Sequence, residues 1–281
     1  MCRFYALRAS APTAVQCCLV TAPNSLLIQS RQDLHGFQHA DGWGIAAYGD
    51  VGSAVPATGE AGWAVERHAD PAHQGTRFGA AATRTCATTV VAHVRRATVG
   101  RVALENTHPF RHAGWTFVHN GTVPYFAEIR DELLAELPAA HRAAIAGSTD
   151  SEHLFHFILA SHERAPEQPL VATLQAALER VIGWCRARGQ EPHLGLNVLL
   201  TDGVQLVGSR WQRSLHWRER AGAAPCPVCS RCHATAAADG YRAVMIASEP
   251  ITPETWPEIP ERSVYEITAD LRLRVRPLAA D

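Results

Sequence analysis

Lysine is absent from this 281-residue chain, so all 26 of its basic side chains are arginines. This absence excludes catalysis through a lysine Schiff base or a lysine nucleophile. An excess of charge is also missing, because 26 basic residues face 27 acidic ones and the formal net charge is -1. Proteins that bind nucleic acids neutralise phosphates with a basic excess. We therefore expect no nucleic-acid partner.

A long apolar run is missing as well. No stretch approaches the roughly 18 residues of a transmembrane helix, and the N-terminal segment MCRFYALRAS lacks the apolar core of a signal peptide. These absences predict a cytoplasmic protein without a membrane partner. Eight cysteines are few for a disulfide framework in a chain of this length. Reduced thiols, catalysis or metal binding are therefore the first interpretations of the cysteines.

Secondary-structure signals run in the order strands, helices, strands. Alternation and β-branched runs predict early strands at 2–8, 43–48, 89–94 and 115–119. Apolar residues at helical spacing predict helices at 124–137, 150–163 and 170–188. The last third predicts strands at 194–200, 204–208, 242–247, 263–268 and 271–275.

This order predicts one layered α+β domain that covers residues 2–281. Residues 49–88 are rich in Ala, Gly and Thr and predict a hairpin plus a loop. The Cys-rich segment 219–240 reads as a loop insertion within the domain.

Cys2 is the first candidate for chemistry. Methionine aminopeptidase removes Met1 when the second residue is small, which would leave Cys2 at the N-terminus. An α-amine has a pKa of about 7.7–8.0, so it can take the thiol proton and later pass it to a leaving amine. The alternative is a structural cysteine, because cysteine is often buried in protein cores.

Three further motifs follow predicted strands or open a predicted helix. Arg95 and Thr98 lie just beyond a buried strand, and an arginine grips a carboxylate with two parallel hydrogen bonds. Asn120 and Gly121 can supply an amide and a backbone N–H to an oxyanion, although Asn-Gly is also a common turn. Asp150 can bind an ammonium group, or simply favour the start of its helix.

Together these motifs resemble the class II glutamine amidotransferases of the N-terminal nucleophile hydrolase superfamily, in particular the stand-alone branch that begins Met-Cys-Arg. The resembling pieces occur in family order through most of the chain. They are Met1-Cys2-Arg3, Ser25 to Ser30, His39 to Gly44, His93 to Gly100, Asn106 to Phe110, His119 to Gly121, Thr149 to Glu152 and Ala247 to Pro250.

The resemblance implies a four-layer αββα sandwich, in which two mainly antiparallel sheets lie between helix layers. It implies that Cys2 is the catalytic nucleophile, with a γ-glutamyl thioester as the intermediate. The implied roles of the other residues are an oxyanion hole at Asn120 and Gly121, binding of the substrate α-carboxylate by Arg95 with Thr98, and binding of the α-ammonium by Asp150.

Two positions depart from the larger family enzymes, which carry Trp and His where this chain has Arg96 and Val99. We take the difference as a mark of the stand-alone branch. The Asp41-Gly42-Trp43 motif replaces an Arg-Gly motif of the larger enzymes, and we assign it a supporting role in a turn.

Three functions are open at this point. The first is a class II glutamine amidotransferase or glutaminase, an amidohydrolase that cleaves the γ-amide of glutamine and passes ammonia to a separate synthase subunit. The second is a γ-glutamyl hydrolase that acts on a larger small-molecule metabolite, similar to the ergothioneine-pathway enzyme. The third, of another class, is a non-enzymatic interaction module built on the Cys-rich loop.

The Cys-rich loop contains Cys226, Cys229, Cys232 and His233, which are a candidate set of zinc ligands. A C-x-x-C pair is a common zinc half-site, and zinc prefers four tetrahedral N or S ligands. His216 is an alternative fourth ligand, and a flexible loop with free thiols is the alternative to a metal site. We expect no cofactor in catalysis, and any zinc would be structural.

Overall fold

The computed structural model describes residues 2–49, 62–189, 193–222, 224–234 and 240–278. Within these residues, twelve strands form two six-stranded antiparallel sheets. The strands are β1 (Arg3–Ala14), β2 (Trp43–Tyr48), β3 (Trp63–His68), β4 (Cys86–Val94), β5 (Phe110–His112), β6 (Trp115–Thr122), β7 (Gly195–Thr201), β8 (Leu206–Arg210), β9 (His216–Ala221), β10 (Arg242–Ala247), β11 (Ser263–Ile267) and β12 (Leu273–Pro277).

In the same described ranges, six α-helices accompany the sheets. They are α1 (Leu26–Arg31), α2 (Arg77–Arg84), α3 (Phe126–Ala135), α4 (Ala139–Ala144), α5 (Asp150–Arg164) and α6 (Leu170–Ala187). A single π-helical turn, Cys17–Thr21, precedes α1. None of these helices is long and apolar enough to cross a membrane.

The strand order is β3-β2-β4-β1-β10-β9 in the first sheet and β12-β11-β8-β7-β6-β5 in the second. Buried residues of both sheets, such as Phe4, Val91, Val118 and Leu199, form one apolar core between them. A second core joins the first sheet to α1 and α2, and a third joins the second sheet to α3, α5 and α6. The predicted αββα sandwich is therefore confirmed.

The antiparallel pairing of β1 with β4 brings distant motifs together. Arg3 lies opposite Val94, so the N-terminal end of β1 adjoins the point where β4 runs into Arg95. On the other side of β1, Tyr5 lies opposite Ala247 at the end of β10. The N-terminus is thus held between the ends of two strands, at one edge of the interface between the sheets.

Five elements depart from the sequence predictions. Residues 49–88 contain β3 and helix α2 in place of a hairpin and loop, with 50–61 outside the described residues. The strand β9 continues to Ala221, so the Cys-rich loop is shorter than the predicted insertion from 219. Strand β5 and helix α4 were not predicted, because three and six residues are too short to show a hydrophobic period.

Candidate active site

Cys2 lies immediately before β1 and is almost completely buried, with 8% of its surface exposed. Its thiol donates to the carbonyl oxygen of Arg96 at 3.5 Å and accepts from the Arg96 N–H at 3.5 Å. Burial raises the pKa of the Cys2 thiol, while the Arg96 N–H and the positive charges of Arg95 and Arg3 lower it. The Arg96 N–H and the two arginines therefore partly compensate the unfavourable free energy of burying a thiolate at this position.

Arg95 organises the loop that follows β4. Its guanidinium donates to the carbonyl oxygens of Arg101 and Val99, each at 3.0 Å, and to that of Gly100 at 3.4 Å. The side chain is 2% exposed. These contacts hold the loop around the guanidinium, which lines the cleft beside Cys2.

Asp41 supports this loop from outside the cleft. Its Oδ2 accepts from the Ala97 N–H at 2.7 Å, and its own N–H donates to the Arg95 carbonyl at 3.0 Å. The Gly42 carbonyl accepts from the Arg95 N–H at 2.7 Å. The contacts of Asp41 and Gly42 agree with the expected supporting role of this motif.

Asn120 and Gly121 lie at the end of β6, in the second sheet. Asn120 is fully buried and its Nδ2 donates to Ser248 Oγ at 3.5 Å, while its Oδ1 has no hydrogen-bond partner among the described residues. A Cβ at Gly121 would lie 2.0 Å from the Gly195 oxygen and 2.5 Å from His119 Nε2. Only glycine fits at position 121.

Ser248 joins the two sheets at this point. Its Oγ accepts from the Phe4 N–H at 3.0 Å and its N–H donates to the Phe4 carbonyl at 3.0 Å. The same Oγ contacts the Asn120 amide. Ser248 therefore fixes Asn120 relative to β1, a role that the sequence did not reveal beyond its place in the Ala247 to Pro250 piece.

Asp150 opens helix α5, where Thr149 accepts from the Glu152 N–H as the N-cap. Asp150 Oδ2 accepts from the Val123 N–H at 2.7 Å, and Oδ1 accepts from the Ser151 N–H at 2.9 Å. The carboxylate thus ties the start of α5 to the end of β6. It is 3% exposed and lines the cleft.

These residues lie around one narrow, partly open cleft. The structure brings together five of the six residues predicted to bind or transform substrate, and Asn120 adjoins Gly121 directly behind the lining. Thr98 lies toward the exposed side, where its hydroxyl is 3.0 Å from that of Thr122. The lining consists of Cys2, Arg95, Arg96, Thr98, Val99, His108, His119, Gly121, Thr149, Asp150 and Ser151.

Three buried histidines adjoin the cleft. His119 bridges Ser151 Oγ at 2.9 Å and the Gly195 oxygen at 2.8 Å, and burial lowers its pKa. His93 and His108 stack with ring centroids 4.2 Å apart, and in the part of the chain that the structure describes neither ring nitrogen of His108 has a hydrogen-bond partner. Burial holds the pKa of both well below the ordinary value, so both are neutral at neutral pH.

A buried ion network lies behind Cys2. The Arg3 guanidinium donates to Glu249 Oε1 at 3.0 Å and lies 2.6 Å from Asp33 Oδ2. It also donates to the Cys2 carbonyl at 3.0 Å. Asp33 Oδ2 is 3.0 Å from His39 Nε2. Sequence reasoning missed this network, although the resembling pieces contain Arg3, His39 and Glu249.

The Cys-rich loop lies apart from this cleft. Cys226, Cys229 and His233 come together with Cys17, which precedes α1, and this group could hold a metal ion. Cys232 is exposed, and its thiol is 3.7 Å from the Ala234 carbonyl. Cys17 therefore takes the place that the sequence assigned to Cys232. His216 is not in the group, since its Nδ1 lies 3.2 Å from the Trp256 carbonyl.

Residues 1–268 match the sequence model of the family described as glutamine amidotransferases class-II. The chain belongs to the class II glutamine amidotransferase family. It is 28% identical to the probable glutamine amidotransferase DUG3 of Saccharomyces cerevisiae, over 95% of this chain and 82% of the yeast protein. It is also 28% identical to γ-glutamyl-hercynylcysteine sulfoxide hydrolase of Mycobacterium tuberculosis, over 92% of this chain and 89% of that enzyme.

Solved structures support the fold. A glutamine aminotransferase class-II domain protein from Silicibacter pomeroyi superposes with a TM-score of 0.62 at 22% identity, over 99% of both chains. The glutamine phosphoribosylpyrophosphate amidotransferase of B. subtilis gives 0.63 at 16% identity, over 99% of this chain and 50% of that one. The family match and the similarity to the yeast and Mycobacterium tuberculosis proteins identify this chain as an enzyme that acts on amide bonds.

Replacing Arg3 should destabilise the fold strongly. In Arg3→Met the buried carboxylates of Asp33 and Glu249 lose their cation, which costs about 3–5 kcal/mol when one partner of a buried ion pair is removed. Arg77 is 68% exposed in a 3.7 Å pair with Asp70, so Arg77→Met should change stability by less than about 1 kcal/mol. Urea unfolding of both variants measures the difference, and equal losses would contradict the role given to Arg3.

Acid should destabilise the fold through His39. Burial lowers the pKa of His39 from 6.5 to about 4. Between these two pH values His39 is therefore protonated in the unfolded chain and neutral in the folded chain. Stability therefore falls as pH falls between those values, by about 3 kcal/mol from this group. The free energy of unfolding should depend less steeply on pH in His39→Gln than in the wild type. In the exposed control His35→Gln the pH dependence should equal that of the wild type. A wild-type stability independent of pH in this window would refute the prediction.

Proposed function

We propose that Cys2, as the N-terminal residue of the mature chain, cleaves the γ-amide of small γ-glutamyl compounds. The proposal is supported by the convergence of the thiol with a buried arginine, a buried aspartate and Gly121 from separate segments on one cleft, with Asn120 directly behind Gly121. The catalytic unit is a single domain that needs no cofactor. Because its nucleophile is a thiol, we assign it to a reducing, cytoplasmic compartment.

The chemistry begins with transfer of the Cys2 thiol proton to its own α-amine. The thiolate attacks the γ-carbonyl carbon, and the carbonyl oxygen becomes an oxyanion bound by the Asn120 amide and the Gly121 N–H. The tetrahedral intermediate expels the amine, which takes the proton from the α-ammonium. Water then attacks the γ-glutamyl thioester, which releases glutamate and restores the thiol.

The charges of the cleft match a free glutamyl head. Arg95 offers five N–H donors, three of which the loop carbonyls use, and the others can bind an α-carboxylate. Asp150 supplies the negative charge for the α-ammonium, and Thr98 adds a hydroxyl at the exposed side. The cleft is narrow and open to solvent on one side, so the leaving amine extends out of it.

The side chains at the rim of the cleft favour a leaving group larger than ammonia. Arg96 lines the cleft, its guanidinium lies 4.0 Å from the centre of the Phe37 ring, and Phe37 is 45% exposed. This surface offers apolar and cationic contacts beside the thiol. We therefore place a γ-glutamyl hydrolase of small metabolites first, which agrees with full-length similarity to the Mycobacterium tuberculosis hydrolase.

Ammonia transfer to a separate synthase subunit is the second candidate. It is favoured by the similarity to the yeast protein, whose name describes a probable glutamine amidotransferase. Both candidates share the glutamyl head, the thioester and the residues that bind them. They differ only in the group that leaves.

Removal of the thiol should abolish turnover. Cys2→Ala should lower glutamate release from glutamine and from γ-glutamyl amides by several orders of magnitude, because no other group at the site can form the thioester. Cys86→Ala is the matched control and should keep activity, because Cys86 at the start of β4 lies opposite Ala14, at the end of β1 far from Cys2. Thermal unfolding of each variant checks that the fold is intact.

A panel of amides separates the two candidates. Preference for a bulky γ-glutamyl amide over glutamine supports the hydrolase, and preference for glutamine supports the ammonia donor. Full activity in Cys2→Ala would contradict the mechanism. No glutamate from any substrate, with a free N-terminal cysteine verified by mass spectrometry, would contradict the function itself and favour a non-enzymatic module.

A further inference from the structure

Three thiols and one imidazole meet on the helix-covered face of the first sheet. Cys17 comes from the π-helical turn after β1, whereas Cys226, Cys229 and His233 come from the loop between β9 and β10. The four potential ligand atoms all lie within 4.8 Å of one another. We infer that these four residues hold one structural zinc ion, outside the catalytic cleft.

The spacing of the ligand atoms fits a tetrahedral ion. Zinc bonds of about 2.3 Å to sulfur and 2.0–2.1 Å to nitrogen separate neighbouring ligand atoms by roughly 3.5–3.8 Å. Cys17 Sγ and Cys226 Sγ are 3.7 Å apart. Cys229 Sγ and His233 Nε2 are 3.0 Å apart. Small side-chain rotations that increase this distance by about half an ångström would make room for the ion.

The backbone of the loop is already arranged around Cys226. The N–H groups of Val228 and Cys229 donate to its sulfur, as an outer shell does for a metal-bound thiolate. The Ser230 N–H donates to the Cys226 carbonyl at 2.8 Å, and Ser230 adopts a left-handed conformation with φ 56°. The loop thus adopts an uncommon backbone conformation within four residues of Cys226.

The charges around the cluster suit this ion. Three thiolates and one Zn²⁺ carry a net charge of about -1. The guanidinium of Arg220, on β9, is half-buried within electrostatic reach of Cys226, Cys18 and His233. Its positive charge offsets the remaining negative charge of the site.

Zinc would fasten the loop to the far end of β1. The Ala14 N–H donates to the His233 carbonyl at 2.9 Å, and Thr13 forms a β-bridge with Ala234. Cys2 lies at the opposite end of the same strand. Four protein ligands leave no open position for substrate or water, so the ion stabilises the fold and takes no part in the cleavage.

Zinc content of the full chain and of single-serine variants tests the site. The purified chain, stripped with chelator and reloaded with Zn²⁺ under reducing conditions, should bind about one equivalent by elemental analysis. Cys17→Ser and Cys229→Ser should lose it. Cys232→Ser is the matched control, because Cys232 is next to a ligand in the sequence but is exposed and lies outside the group of four, so this variant should keep the ion.

Cobalt separates this site from a second candidate, formed by His112, His141 and His156. Co²⁺ in the cysteine site should show thiolate-to-metal charge-transfer absorption, which Cys229→Ser loses and His156→Gln keeps. Zinc should also raise the thermal unfolding midpoint of the wild type and of Cys232→Ser, with no such shift in Cys229→Ser. If a variant fails to fold, the wild-type stoichiometry and cobalt spectrum decide.

The inference is wrong if the reduced wild type binds less than about a tenth of an equivalent of zinc. It is equally wrong if Cys232→Ser loses the ion while Cys17→Ser keeps it, or if Cys17 and Cys226 form a disulfide in the protein purified without oxidant. Glutamate release is not part of this test, so its outcome is independent of the proposed hydrolysis.

Discussion

The buried guanidinium of Arg3 is the interaction on which the arrangement of this protein depends. It contacts Glu249, Asp33 and the carbonyl of Cys2 at once, so one side chain ties the start of β1 to the end of β10 and to the segment after α1. The position of a buried cation between two carboxylates is restricted, because a displacement leaves a charge unpaired in a medium of low polarity. The residue proposed as nucleophile is thereby fixed by its immediate neighbour.

The interface between the sheets supplies the second constraint. Ser248 pairs with the backbone of Phe4 in one sheet and with the Asn120 amide of the other. A thiol on β1 and an amide on β6 therefore keep a fixed relation. Arg95 and Asp150 approach from the end of β4 and the start of α5, and each is held by backbone groups of its own surroundings. The residues of the cleft lie at the ends of strands and helices. The buried central parts of those strands and helices make the site rigid.

The sequence predicted the layered α+β fold and most strands because local alternation and helical spacing reflect burial. It missed β9, whose six residues HWRERA are mostly polar and whose pairing partner β10 follows after the Cys-rich loop. It also missed the partner of Arg3, since Glu249 is 246 positions away and nothing local distinguishes Arg3 from the other arginines. Cys17 was missed for the same reason, because only the fold brings it to Cys226, 209 positions later.

The central claim is that Cys2 carries the glutamyl group, and a trapping experiment tests it most directly. A diazoketone analogue of glutamine places an electrophilic carbon near the γ-carbonyl position and alkylates a thiol nucleophile there. Peptide mass spectrometry of the treated chain should find one adduct, on a Cys2 that is N-terminal, and excess glutamine should prevent it. An unmodified Cys2, or an adduct on the exposed Cys232 that glutamine does not prevent, would contradict the account.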